Sequence, residues 1–288
     1  MRYASIANPA SGNLSVTKKR SVLARAAQIL NARVYGLETS ALEDFINITR
    51  EVAACCDVLV VAGGDGTFSD VINFIDTSRH PLAFLPLGTA NAMKWALGYK
   101  GSLVRIARRI RDGEVREYDL ISCDGIRKAF SASLGLEGTI IRLRDHYLAL
   151  GATGSGAYVK AVFESYFKIF QPTRAWITID GDETEIGALL SLMAVKQPYY
   201  GYGMKVVPKA RLDDQRLHVL YANSGFFGFA AGVVTGFTIG NCIGRYHSGR
   251  NLHVRLEKPV WLQIDGSQGW KKDAFTFEVL PKALKIRC

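Results

Sequence analysis

The chain has little of what marks a metal-cluster, secreted or fibrous protein. Only five of its 288 residues are cysteine (Cys55, Cys56, Cys123, Cys242, Cys288), an odd number with no Cys-x-x-Cys pair. They read as reduced thiols of a cytosolic protein, not as a disulfide framework. The five histidines (His80, His146, His218, His247, His253) form no His-x-x-x-His or His-Glu-x-x-His pairing, so each reads as structural. No repeat or low-complexity tract is present. The N-terminal stretch has no basic segment leading into a long apolar run, so no secretory signal is expected. One apolar run, residues 226–243, approaches membrane-spanning length, but four glycines, two threonines and an asparagine interrupt it. It is read as a buried, glycine-broken segment.

What is present is ordinary globular material. Hydrophobic residues make up 48% and charged residues 22%, enough for one large core or two modest ones. Lys+Arg exceed Asp+Glu by 36 to 26, a formal net charge of +10 that suits an anionic partner such as a phosphate or an acidic membrane face. Most of that excess lies after residue 120. No basic-aromatic readout motif accompanies it, so a nucleic-acid partner is not expected.

The pattern changes near residue 120. Before it, short apolar runs at residues 2–7, 33–37, 57–62 and 82–85 alternate with helical spacings at 15–30, 42–54, 68–75 and up to about 98. The run at 57–62 is continuously apolar, as in a parallel strand covered on both faces. An open, mostly parallel α/β sheet follows for residues 1–120. After it, strand pairs flank Asp124-Gly125, Gly181-Asp182 and Asp265-Gly266, with a mixed, helical stretch at 148–170. Antiparallel hairpins joined by such turns predict a β-rich, sandwich or barrel domain over residues 121–288.

Chemistry concentrates in three strand-to-helix junctions: Asn8-Pro9-Ala10-Ser11-Gly12, Gly63-Gly64-Asp65-Gly66-Thr67 and Pro86-Leu87-Gly88-Thr89-Ala90-Asn91. Glycines there permit positive φ and close backbone approach, and a helix N-terminus presents N–H groups to an anion. Thr67 with Asp70 fits a capping box at the start of the third helix. Asp65 would repel a phosphate unless a cation such as Mg²⁺ bridged the two. All three junctions fall at the carboxyl ends of parallel strands, where open α/β sheets bind ligands.

In this order the three motifs resemble those of the diacylglycerol kinase and sphingosine kinase-like family of lipid kinases. The likeness continues through Asp119, the stretch from Phe130 to Gly138, the segment from Gly201 to Asp214, the strand from Val260 to Gly266, and Leu280 to Leu284. It implies an ATP-binding α/β domain, a β-sandwich domain and an active site in the cleft between them. By that resemblance Asn8, Thr39, Gly63, Gly64, Asp65, Gly66, Thr67, Phe68, Ser69, Gly88, Thr89 and Asn91 contact nucleotide. Asp65, Asp119 and Asp265 are the candidate catalytic carboxylates, with Asp65 and Asp119 linked to Mg²⁺. Asp214, with the main-chain carbonyls of Arg211 and Arg216, matches a second, structural Mg²⁺ site.

The chain departs from the family where Asp-Gly-Glu is usual: it has Asp265-Gly266-Ser267, and serine cannot serve as the glutamate's general base. Asp265 or Asp273 substitutes, or the base matters little, or the protein binds nucleotide and lipid and turns over slowly. The expected protein is a cytoplasmic, peripherally membrane-bound lipid kinase using ATP and Mg²⁺. The alternatives are a degenerate member of the family and a soluble NAD- or sugar-kinase-type enzyme. Nothing in the composition excludes a dimer. Three further features stay open: Arg105, Arg108, Arg109 and Arg111 as a solvated face or a phosphate contact, Tyr158, Phe163, Tyr166, Phe167 and Phe170 as core or lipid entrance, and the glycine cluster at 151–156 as a loop or a phosphate cradle.

Overall fold

The computed structural model describes residues 1–152 and 154–288. It divides into two compact units. The first comprises Met1–Leu120, Tyr199–Met204 and Pro281–Cys288, the second Ile121–Pro198 and Lys205–Leu280. The two short returns to the first unit carry no signal in the sequence pattern.

In chain order the first unit holds β1 (Tyr3–Ala7), α1 (Val16–Leu30), β2 (Arg33–Tyr35), α2 (Leu42–Ala54), β3 (Val58–Gly63), α3 (Asp65–Phe74), β4 (Leu82–Pro86), α4 (Ala92–Ala96), α5 (Leu103–Asp112) and most of β5 (Val115–Cys123). Strands β2, β1, β3 and β4 pair in parallel, and Ile286 continues the sheet beside Leu82. Every residue of β3 is buried, as its unbroken apolar run requires. Ser15 caps α1 by accepting the Lys18 N–H, and Asn31 ends it in the left-handed region at φ 47°. Leu23, Ala26 and Leu30 turn inward at helical spacing, whereas Val22 is exposed. On α5, Arg109 donates to the carbonyls of Gly98 and Leu97 and stacks on Tyr99, and Arg111 pairs with Asp112, so both arginines hold local structure.

The second unit holds β6 (Arg127–Ala129), β7 (Ser131–Gly135), α6 (Leu136–Ala149), α7 (Gly154–Glu164), a π-helical turn (Ser165–Ile169), β8 (Thr173–Ile179), β9 (Asp182–Leu189), β10 (Ser191–Val195), β11 (Leu217–Ala222), α8 (Phe226–Phe237), β12 (Arg245–Gly249), β13 (Asn251–Ile264) and most of β14 (Ser267–Arg287). The pairings β5–β6, β7–β10, β10–β11, β11–β12, β7–β13, β8–β13, β8–β9 and β13–β14 are antiparallel. The register of β13 breaks between Arg255 and Val260, so its first half pairs with β8 and its second with β7. Leu134, Ile177, Leu192, Val219, Leu262 and Phe277 meet in the core this creates. The glycine cluster at 151–156 includes Thr153, which lies outside the described residues.

Three differences from the sequence reading have plain causes. The helical stretch starts at Leu136, directly after Gly135, whose φ of 98° turns the chain where a Cβ would meet the Leu190 carbonyl at 2.5 Å. The β8–β9 turn is centred on Asp180-Gly181 (φ 51° and 101°), one residue earlier than expected, because both central positions of this turn need positive φ. The apolar run at 226–243 is not buried. It forms α8, where Phe227 is 87% exposed and Gly236 is the one buried residue.

Glu137, in the first turn of α6, accepts from Ser191 Oγ at 2.6 Å, and its second carboxyl oxygen is buried with no partner. Burial, only partly opposed by that hydrogen bond, pushes its pKa from 4.5 up to about 7. The native state therefore keeps a proton that the unfolded chain releases. Stability is expected to fall as pH rises from 4.5 to about 7, by about 3 kcal/mol in total at 1.36 kcal/mol per pH unit. Urea unfolding at pH 5 and pH 8 measures this, and Glu137→Gln is expected to flatten the difference.

Candidate active site

The parallel pairing of β1, β3 and β4 places their carboxyl ends at one sheet edge, and the three loops that leave there touch one another. Gly64 N–H donates to Ser11 Oγ at 2.8 Å. Leu87 and Gly88 N–H both donate to the Gly63 carbonyl, at 2.8 and 3.2 Å. A Cβ on Gly88 would lie 2.5 Å from Gly64 Cα, and one on Gly12 2.9 Å from the Leu87 carbonyl oxygen. Close approach, not positive φ, is what most of these glycines provide: Gly12 has φ 67°, whereas Gly63, Gly64, Gly66 and Gly88 all lie outside the left-handed region.

The helix after the second loop begins earlier than expected. Gly64 occupies the cap position that Thr67 was expected to fill, and Asp65 is the first helical residue. Thr67 then packs on Gly63. Phe68 packs against Phe84 in the core, ring centroids 5.0 Å apart and tilted by 52°, and Ser69 is buried as well. Residues 64–66 remain accessible at the N-terminus of this ten-residue helix.

Asp65 joins the second loop to the third. Its two oxygens accept the N–H groups of Ala92 and Met93, at 2.7 and 3.0 Å, which start α4. Burial raises its pKa against the lowering pull of those hydrogen bonds. Asn91 precedes α4 in the left-handed region at φ 49°. Its Nδ2 donates to the Gly88 carbonyl, while its Oδ1 is buried with no partner. Thr89 is exposed at the loop tip.

In the first loop, Asn8 Oδ1 accepts the Ala10 N–H at 2.8 Å. Lys19 of α1, which the sequence reading passed over, is buried and donates to the carbonyls of Asn8 and Pro9; burial pulls its pKa down. Thr39 donates through its hydroxyl and its N–H to the Gly36 carbonyl, and Gly36 packs against the end of β1. That turn lines a depression of about 610 Å³ together with Arg20, Arg33, Asp44 and Asn47. The returning segment Tyr199–Met204 braces the third loop: Tyr202 N–H donates to the Ala90 carbonyl, and Gly201 and Gly203 pack on Ala90 and Trp95. Nothing in the sequence spacing says what Gly201, Tyr202 and Gly203 touch.

The remaining candidates are engaged by groups of their own units. Asp119 is buried in β5, where Oδ1 accepts the Lys282 N–H at 3.0 Å. In the second unit, Asp265 accepts the N–H groups of Phe130 and Ser131 and the Ser131 hydroxyl. Asp214 and the Arg216 carbonyl do come together, but around the ammonium of Lys196, which donates to them at 2.7 and 2.6 Å. The Arg211 N–H donates to His218 Nε2 at 3.1 Å. Among the described residues, no three His, Cys, Asp or Glu side chains gather as metal ligands.

Two contrasting glycines test this geometry. Gly88→Ala is expected to cost about 1–3 kcal/mol by overpacking against Gly64. Gly66→Ala, whose Cβ would meet nothing within 4 Å, is expected to leave stability unchanged or raise it by about 0.5–1 kcal/mol. Asp65→Asn would set an amide NH₂ against the Ala92 or Met93 N–H, and about 1–3 kcal/mol should be lost. Denaturant midpoints of the three variants check all three outcomes.

Comparison with known proteins agrees with this architecture. Residues 2–123 match the diacylglycerol kinase catalytic domain, and residues 130–288 match the YegS C-terminal NAD kinase beta sandwich-like domain. A diacylglycerol kinase of Staphylococcus haemolyticus is 24% identical over 251 residues, 83% of this chain and 75% of that protein. One of Staphylococcus saprophyticus is 26% identical over 248 residues, 82% and 80% of the two chains. The crystal structure of a diacylglycerol kinase from Bacillus anthracis strain Sterne shares the fold, with a TM-score of 0.73, 19% identity, and coverage of 99% of this chain and 96% of that one. The chain belongs to the diacylglycerol kinase-like family of lipid kinases, with a mixed α/β catalytic domain followed by a β-sandwich-like one.

Proposed function

We propose that this chain transfers a phosphoryl group from ATP, in a magnesium-dependent reaction, to a hydroxyl of a diacylglycerol, sphingoid base or related lipid, working in the cytoplasm against an acidic membrane. The observation that carries the reading is the meeting of three strand-end loops at Gly64 and Gly88, beside the first turn of α3 and an Asn91 oxygen without a donor. A triphosphate matches that set. Main-chain N–H groups at residues 65–67 face anionic oxygens from the positive end of a helix dipole. The glycines let those oxygens reach the backbone. Asn91 Oδ1 accepts from a ribose hydroxyl or an ion-bound water, and Thr89 offers its hydroxyl at the loop tip. Asp65 is a positioning residue that keeps the third loop against the second, and Lys19 holds the first. Magnesium bound with ATP would offset phosphate charge while taking most of its ligands from phosphate and water, so it needs no preformed carboxylate cluster.

The chain offers a serine where the family has the glutamate that would receive the acceptor's proton. Ser267 stands at the start of β14, the Asp265 oxygens are engaged by main-chain amides, and Asp273 is exposed on β14. Transfer then rests on positioning and charge neutralisation, and turnover is slow. The same residues favour a second reading, a protein that binds nucleotide and lipid with little catalysis. Labelled ATP with a total lipid extract should yield a labelled lipid only when magnesium is present. Ser267→Glu is expected to raise that yield by about 10²-fold or more. Absence of magnesium-dependent ATP affinity would refute the kinase reading, whereas affinity without any labelled lipid in either form favours the second.

The membrane half of the proposal rests on α8. Phe226, Tyr166 and Phe167 pack ring on ring at 5.1–5.5 Å, joining α8 to the π-helical turn. Outward from them Phe163, Phe167, Phe227, Val234 and Phe237 are more than half exposed. No acidic residue lies on α8, and Lys160 and Lys168 flank the rings, so the partner this face fits is an acidic lipid bilayer. Rings would enter the headgroup boundary while the lysines meet anionic headgroups. Among the described residues no helix is long and apolar enough to cross a membrane. Phe227→Asp is expected to weaken co-sedimentation with phosphatidylglycerol vesicles about tenfold or more; unchanged binding would exclude this face.

A further inference from the structure

The cluster around Asp214 holds a positive charge of its own. Lys196 follows the end of β10, and its side chain is completely buried. Its Nζ donates to Asp214 Oδ1 and to the Arg216 carbonyl, two of the three oxygens that the family likeness assigns to a divalent ion. Asp214 also accepts the Arg216 N–H at 3.2 Å. Burial would lift the Asp214 carboxyl, but the hydrogen bond and charge of Lys196 outweigh it and hold the pKa below its ordinary value. His218 lies beside the clamp: its Nε2 is 3.0 Å from Asp214 Oδ2, its Nδ1 pairs with the Tyr246 hydroxyl, and burial lowers its pKa.

These residues do not fit a divalent ion. A metal bound to the same two oxygens at about 2.1 Å would lie within about 5 Å of Nζ, since the ammonium is held 2.6–2.7 Å from both. A doubly charged ion that close to a buried ammonium is strongly repelled. One carboxylate is already matched by one ammonium, and the carbonyl takes a second ammonium proton.

We propose that Lys196 is the resident cation of this site: its ammonium replaces the structural metal, and the segment Lys205–Arg216 keeps its shape without any divalent ion. The clamp also reaches the neighbouring strand, because the Lys196 N–H donates to the Phe130 carbonyl. It therefore holds β10, the start of β11 and the approach to β7 at one end of the sheet.

The test uses the full chain without nucleotide. Thermal unfolding of the wild type is expected to be the same in EDTA and in excess MgCl₂, or to shift equally in wild type and Asp214→Asn, which places any magnesium effect elsewhere. Lys196→Met, which strands the Asp214 charge, is expected to lower the midpoint by about 10 °C in either buffer. The proposal is overturned if the wild type loses midpoint in EDTA and regains it with magnesium while Asp214→Asn does not respond. It is overturned as well if Lys196→Met unfolds with the wild type. Should Lys196→Met fail to fold, the wild-type and Asp214→Asn arms still decide.

Discussion

Two backbones that touch set the terms for the first unit. Gly64 and Gly88 approach so closely that neither tolerates a Cβ without displacement, and the contact fixes the spacing between the second and third loops. A short helix such as α4, with five residues, cannot sustain itself. Asp65 supplies acceptors for two of its initial N–H groups, so the conformation of Asn91 and the rest of the third loop depends on a carboxylate from the second. Tyr202 leans on the same loop through Ala90. An aspartate beside a candidate phosphate site therefore has a structural reason to be there before any metal is invoked. Its burial is tolerable because amide donors surround it.

The second unit repeats one device. Asp124, Asp180 and Asp265 each occupy a turn position with positive φ next to a glycine, and each carboxylate reaches across to main-chain N–H groups of a neighbouring segment. Asp124 takes Thr276, Asp180 takes Arg250 and Asn251, and Asp265 takes Phe130 and Ser131. Asp124 and Asp180 have no suggested part in chemistry. Asp265 makes the same kind of turn contact as they do, accepting the N–H groups of Phe130 and Ser131. The shared geometry explains why an Asp-Gly signal alone cannot separate a catalytic turn from a structural one.

Much of this was legible in the sequence because the signals were local. The buried run of β3, the Asp-Gly turns and the three strand-end motifs each depend on residues within a few positions of one another. What was not legible depended on distant partners. Lys19 looks like any surface lysine of α1 until the loop at Asn8 and Pro9 closes over it. Phe68 and Ser69, expected to contact nucleotide, face the core, because the helix starts at Asp65 and rotates them inward. The segment Tyr199–Met204 belongs to the first unit only through its contacts with Ala90 and Trp95. The run at 226–243 was read as buried from composition, but three of its four glycines sit within a helix whose Phe226 and Phe229 pack on Tyr166 while Phe227, Val234 and Phe237 face outward.

Ser267 and the Lys196 clamp occupy one end of the second unit's sheet. Val195 pairs with Ser131 on one side of β7, and Ile264 pairs with Ala132 on the other, so Lys196 and the turn at Asp265-Gly266-Ser267 follow strands two places apart, about 10 Å across the sheet. At that end the chain carries a serine in place of a glutamate and an ammonium in place of an ion. Both changes reduce what the site asks of its surroundings: one anion fewer to neutralise, and no metal to acquire before the strands can close. A sheet end stabilised entirely by its own side chains stays formed whatever the divalent concentration. Any magnesium dependence of the whole molecule then reports on the nucleotide site proposed at the loops of the first unit.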